Sequence, residues 1–152
     1  MSQIRRGFIA LAAMFGLAAA VLAATPASAV TLPRVQANIF GWNNMSVRPG
    51  TIQVVMTGGP TAIRLAWRTW TTSSATTRSG TIETQPYCGR PIPQCPVYHH
   101  PLTVFLHDVR THRGHPYFAK MRWTYRNARG THVIYWLFHT FPGGTVPSWD
   151  RR

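Results

Sequence analysis

From Tyr117 to Tyr125 large and small apolar residues occupy every second position: Tyr117, Ala119, Met121, Trp123 and Tyr125. Phe118, Lys120, Arg122, Thr124 and Arg126 fill the positions between and just beyond them. Strand side chains point to opposite faces in turn, so this stretch is a ribbon with one apolar and one cationic face. A helix would scatter both sets around its circumference. Asn127-Ala128-Arg129-Gly130 supplies a turn, and Thr131 to Thr140 returns as a second strand. With Arg126 opposite Thr131, Arg122 faces Tyr135 and Lys120 faces Leu137. The same register sets Trp123 against Ile134 and Met121 against Trp136 on the core side. A slip of one residue would turn every side chain over.

The rest of the chain follows the same grammar. Thr51 to Thr57 reads as a strand between Pro49-Gly50 and Gly58-Gly59-Pro60. Ala62 to Thr71 alternates, with Ile63, Leu65 and Trp67 on one face and Arg64, Arg68 and Trp70 on the other. Thr76 to Thr84 is a further strand. Pro101 to Val109 alternates with Leu102, Val104 and Leu106 on one side. β-branched and aromatic residues dominate these runs, and no segment beyond the leader carries a 3.6-residue period. Short strands between turn signals predict an all-β protein, a small antiparallel sandwich or barrel of about six to eight strands. Residues 30–39 read as a flexible lead-in, 40–150 as a single β domain, and Gly143 to Arg152 as a tail pinned by Trp149.

Residues 1–29 read as a signal peptide. Arg5 and Arg6 precede an apolar run from Phe8 to Ala24, and Ala27-Ser28-Ala29 forms a small-residue cleavage site before Val30. Cleavage between Ala29 and Val30 would release a secreted, extracellular chain with no integral membrane span. Arg5-Arg6-Gly7-Phe8-Ile9 also resembles a twin-arginine export signal, with Ile4 where Ser or Thr is usual.

Export isolates an unusually basic domain. Of the 16 Lys and Arg residues, Arg5 and Arg6 belong to the leader; the remaining 14 face three acidic residues, a net +11. Lys120 is the single lysine. Such a charge attracts polyanions: an anionic cell-wall polymer, nucleic acid or a membrane surface. Arginine binds phosphate and carboxylate as a planar fork.

The shortage of acids limits the chemistry. Glu83, Asp108 and Asp150 are the only carboxylate side chains, too few and too scattered to suggest the paired carboxylates of glycoside hydrolysis. No nucleophile-elbow sequence supports a serine triad. Cys88 and Cys95 flank Gly-Arg-Pro-Ile-Pro-Gln, and in an exported chain two such cysteines are most simply one disulfide. His99 and His100 follow closely, which leaves a zinc site as the competing reading, although Cys-x6-Cys-x3-His-His is not a usual ligand spacing. Free thiols are the third. No metal and no cofactor is expected.

Two functional classes remain, with a third beside them. Arg64, Arg68 and Trp70 on one strand, and Lys120, Arg122 and Arg126 beside Tyr135 on another, interleave cations with aromatics and form a candidate binding face for a polyanion. The alternative is a small basic hydrolase of ribonuclease type, using two of His99, His100, His112, His115, His132 and His139 with Lys120. An inhibitor of a secreted enzyme, presenting the Cys88–Cys95 loop, is the third. The favoured expectation is a monomeric, non-enzymatic binding module.

The run Ile63-Arg64-Leu65-Ala66-Trp67-Arg68-Thr69-Trp70, followed by a Thr/Ser/Gly stretch, the proline-bearing Cys88 to Cys95 loop and Val104-Phe105-Leu106, is similar to small secreted proteins of high-GC Gram-positive bacteria. These carry a Trp-x-x-Trp strand, a Gly-rich hairpin and a Cys-Pro-Cys loop before a Val-x-Val-x-Leu strand. The resemblance spans about residues 50–126. The cysteine loop is longer here than in that group. The resemblance implies a compact secreted β domain and brings no activity with it.

Overall fold

A computed structural model describes residues 30–38, 44–54, 59–139 and 148–152. The leader, its cleavage site up to Ala29, Trp42 and the end of the expected 51–57 strand lie outside these residues. The described chain is almost entirely β: a seven-stranded antiparallel sheet curls into a half-barrel, beside a small two-stranded sheet. The strands are β1 (Val35–Gln36), β2 (Met45–Ser46), β3 (Ile52–Gln53), β4 (Thr61–Trp70), β5 (Ala75–Thr84), β6 (Tyr98–His112), β7 (His115–Asn127), β8 (Gly130–His139) and β9 (Ser148–Arg151). β1 pairs with β2, and β3 to β9 follow one another in chain order, so every neighbour in the main sheet is a sequence neighbour. Among the described residues no helix is long and apolar enough to cross a membrane.

The β7–β8 hairpin has the register that the alternation predicts. Arg126 pairs with Thr131, Arg122 with Tyr135, Lys120 with Leu137, Trp123 with Ile134 and Met121 with Trp136. Leu102, Val104 and Leu106 of β6 join Met121, Trp123, Ile134 and Trp136 in the buried core on the concave side. One row of this core crosses the sheet as Trp70, Ala75, Leu106, Met121 and Trp136, each the Cα partner of the next.

β4 departs from simple alternation, and this corrects the face assigned to Trp70. The ladder between β4 and β5 shifts register between Ile63 and Ala66, between Ala66 and Trp67, and between Trp67 and Thr69. Two of these shifts insert an extra residue into β4, and the third inserts one into β5. Each insertion reverses which face the following residues occupy. The inward residues are therefore Ala62, then Leu65 and Trp67, then Trp70, while Ile63 falls before the first reversal. Arg64 takes the left-handed backbone conformation, φ 53°, at the first bulge. Trp70 is 6% exposed, donates its indole N–H to Pro33 O at 2.9 Å, and packs edge-on against Phe118. It is a core residue and takes no part in a surface face. Leu65 needs Gly80 opposite it, since a Cβ there would lie 2.6 Å from Leu65 Cδ2.

Between β5 and β6 the ladder breaks from Thr76 to Thr81. Thr77 fills the gap: its hydroxyl accepts from Val104 N–H at 2.8 Å and is itself buried. Thr77→Val keeps the shape and strands a buried N–H, so it is expected to cost about 1–3 kcal/mol in urea unfolding, with Thr77→Ser costing less.

Both chain ends of the domain are held more firmly than composition implied. Within residues 30–38, the described part of the expected lead-in, the segment from Pro33 to Gln36 is docked on the main sheet while Val30 and Thr31 are exposed. Val35 and Gln36 are fully buried, Arg34 N–H donates to Pro116 O, and Phe118 N–H donates to Arg34 O. At the other end Ser148–Arg151 is a strand rather than a tail, and Trp149 packs on Phe138 with ring centroids 5.2 Å apart. In both places a buried apolar residue of the core cluster (Val35, Trp149) anchors the segment, which outweighs the polar character of its neighbours.

Cys88 and Cys95 form a disulfide with Cα atoms 5.6 Å apart, so neither sulfur remains as a metal ligand. A single 3-10 turn, Ile92–Gln94, completes the loop, and Gln85 Nε2 donates to Ile92 O and Cys95 O. Replacing both cysteines with alanine is expected to lower stability by about 2–3 kcal/mol, the loop-closure entropy of so short a ring. Thermal unfolding followed by circular dichroism would show the loss with the native spectrum retained.

Candidate polyanion-binding face

From Lys120 onward, the even-numbered residues of β7 lie on the convex side of the sheet, opposite the buried Met121 and Trp123. Lys120, Arg122, Thr124 and Arg126 lie two residues apart, which spaces them at about 6.8 Å and spreads the set over about 20 Å. Arg122 and Arg126 are exposed and Lys120 is half-buried. Flanking strands supply aromatics to the same face. Phe105 of β6 and Tyr135 of β8 are the Cα partners of Arg122 on either side. The Arg122 guanidinium carbon lies 5.2 Å from the Phe105 ring centroid, within cation–π range. Phe105 in turn stacks on His107 at 5.2 Å. Tyr135 is 51% exposed and Val133 beside it 47%.

Electrostatics around Lys120 are partly compensated. Its ammonium lies 3.2 Å from Asp108, which Arg110 also approaches at 3.4 Å. The hydrogen bond from Lys120 is the main reason that the Asp108 carboxyl titrates below its ordinary value. His107, the Cα partner of Lys120, is held below the ordinary imidazole value by burial first and by the Lys120 charge second. It therefore contributes an aromatic surface more than a charge.

Two clefts flank the cationic row, one beside Lys120 at the middle of β7 and one beside Arg126 near its C-terminal end. One, of about 320 Å3, brings together Arg110, Lys120, His139 and Arg152. The other, also about 320 Å3, is lined by Arg78 and Arg126 with the hydroxyls of Ser79, Thr103, Thr124 and Thr131 between them. Guanidinium forks flanking a row of hydroxyls can hold the oxygens of a phosphate, sulfate or carboxylate chain. Arg78 is a residue that the alternation does not single out. It is the extra residue of the β5 bulge, and its only signal in the sequence is a cation within a Thr/Ser-rich strand.

The expected face is thus assembled in part. Lys120, Arg122, Arg126 and Tyr135 share one continuous surface. Arg64 and Arg68 are exposed, but they stand at bulges on β4, three strands or about 14 Å from β7. Trp70 is absent from the surface altogether.

Most of the histidines are spread along the sheet away from Lys120. Only His139 shares its cleft, and His139 also lies 3.5 Å from Asp150. His99 pairs with Glu83 at 3.1 Å. His100 and His132 each stack on Tyr125. His112 and His115 face each other at the β6–β7 turn. Of the seven histidines, His107, the Cα partner of Lys120, and His139, in its cleft, are the two that adjoin this lysine.

The Cys88–Cys95 loop carries Tyr87 at 78% exposure, with Val97 and Tyr98 exposed nearby. Comparison with known proteins finds no family model, no curated protein and no solved structure that matches this chain. The functional reading therefore rests on the geometry of the face.

Proposed function

We propose that the protein is an exported, non-enzymatic binding module that holds an anionic extracellular polymer along β7. The observation that carries this reading is the row Phe105–Arg122–Tyr135, in which the guanidinium of a cationic strand lies over the half-buried Phe105 ring and has the exposed Tyr135 as its Cα partner on the other side. Aromatics beside cations offer stacking surface for rings or sugar faces while the charges hold the backbone. The regular spacing of Lys120, Arg122 and Arg126, with Arg78 extending the track, suits an extended chain of repeating charges better than an isolated ion. The net charge of residues 30–152, 14 basic against three acidic residues or +11 with histidines neutral, adds long-range attraction.

Retention of the protein on immobilised anionic wall polymer, single-stranded nucleic acid and anionic vesicles tests the reading and ranks the partners. Binding at low salt that is lost as salt rises supports it. Retention indifferent to salt on all three supports, or none at low salt, refutes it.

A further inference from the structure

The turn between β6 and β7 closes one side of a cavity of about 130 Å3, separate from the convex face. Its apolar surface comes from Met45, Pro116 and Tyr117, and its basic groups are Arg34, Arg113, His112 and His115. Three chain segments meet here, and each is fixed. The backbone of Arg34 is clamped by hydrogen bonds to Pro116 and Phe118 and by a bridge to Tyr117. Met45 belongs to β2, which is paired with β1. Arg113 and Gly114 both have positive φ, 48° and 81°, the geometry of a tight two-residue hairpin turn that matches the sheet twist. That turn brings His112 directly opposite His115.

No side-chain carboxylate answers this positive charge. The chain has three, and each lies elsewhere: Glu83 beside His99, Asp108 between Lys120 and Arg110, and Asp150 beside His139. Two guanidinium groups beside an apolar wall, with no internal counter-charge, complement an external anion. An apolar cavity of about 150 Å3 admits a benzene ring, which bounds the body of such a ligand to one ring or a short branched chain.

We propose that this cavity binds a small organic anion, with a carboxylate or phosphate head held by Arg34 and Arg113 and a compact apolar body against Met45, Pro116 and Tyr117. The site is independent of polymer binding along β7.

Calorimetric and NMR titrations of the protein with benzoate, phenyl phosphate and neutral benzyl alcohol test it. At least one anionic probe is expected to saturate, with shifts at Tyr117 and the 112–116 turn, and benzyl alcohol to bind at least about 10-fold more weakly, since charge-assisted hydrogen bonds hold the head group. Preference for benzoate identifies a carboxylate ligand, and preference for phenyl phosphate a phosphate. Arg34→Gln and Arg113→Asn, the latter chosen because Asn tolerates positive φ, are each expected to weaken binding about 10-fold with an unchanged β spectrum. Either variant suffices if the other fails to fold. No saturable binding of either anion, equal binding of benzyl alcohol, or undiminished affinity in a folded arginine variant would overturn the proposal.

Discussion

Trp123→Ala is expected to destabilise the protein by about 3–5 kcal/mol, the range for removing a large aromatic from a packed core. Trp123 is fully buried at the centre of the sheet, paired with Val104 on β6 and Ile134 on β8, and it packs on Trp136 with ring centroids 5.2 Å apart. A half-barrel leaves few other layers to collapse into the space. Domains of this size hold only about 5–15 kcal/mol of net stability, so the variant should melt far earlier or fail to accumulate. The loss is one of packing rather than polar bonding, because among the described residues neither Trp123 Nε1 nor Trp136 Nε1 has a hydrogen-bond partner. Trp123→Phe keeps a ring and removes a buried donor, so its cost should be much smaller. Chemical denaturation of the two variants side by side would separate these effects; equal costs would mean that ring packing is not what Trp123 supplies.

Neutralising Lys120, Arg122 and Arg126 together with glutamine is expected to weaken polymer binding roughly 1000-fold at about 50 mM salt. Each phosphate that a cation neutralises contributes about 0.7–0.9 to the dependence of log affinity on log salt, so removing three such cations takes about 2–3 from the slope, which at 50 mM, about 1.3 log units below 1 M, amounts to roughly three orders of magnitude. The fold should tolerate the change. Arg122 and Arg126 are exposed, Lys120 is partly so, and Asp108 keeps Arg110 as a partner when Lys120 loses its charge. Neutralising Arg64 and Arg68 instead should have a markedly smaller effect, because β4 lies at the far side of the sheet from the aromatic row. A triple variant that binds like the parent would remove β7 from the account even if the protein proves to be a polyanion binder.

The contrast between β7 and β4 explains how much can be read from the chain. β7 and β8 are joined by a two-residue turn, and β7 alternates from Ala119 to Arg126, so the turn and the pattern of β7 point to the same register although β8 is apolar throughout Val133 to Phe138. That agreement is enough to set Arg122 beside Tyr135 from the sequence alone. β4 shows equally clear alternation, yet its two bulges reverse the faces and carry Trp70 into the core. Nothing local announces a bulge at Arg64 or Arg68, since neither is glycine and each suits a solvated face. The burial of Trp70 is decided by remote partners, Pro33 and Phe118. The same holds for Val35 and Gln36, whose place beside the main sheet depends on the docking of Arg34 against Pro116 and Phe118. The candidate face is therefore legible where a single hairpin builds it and obscure where it depends on sheet curvature. The Arg34–Arg113 cavity has no linear signature, because its parts meet only when the N-terminal segment docks on the β6–β7 turn.

The central claim is that a polyanion lies along β7, held by charge and seated on aromatics. The most direct test is the slope of log affinity against log salt for a homogeneous single-stranded polyanion, measured for the parent protein and for the Lys120, Arg122, Arg126 glutamine variant. A linear fall is expected for the parent, with a slope shallower by about 2 in the variant, the share of the three missing cations. Identical slopes in the two proteins would contradict the claim.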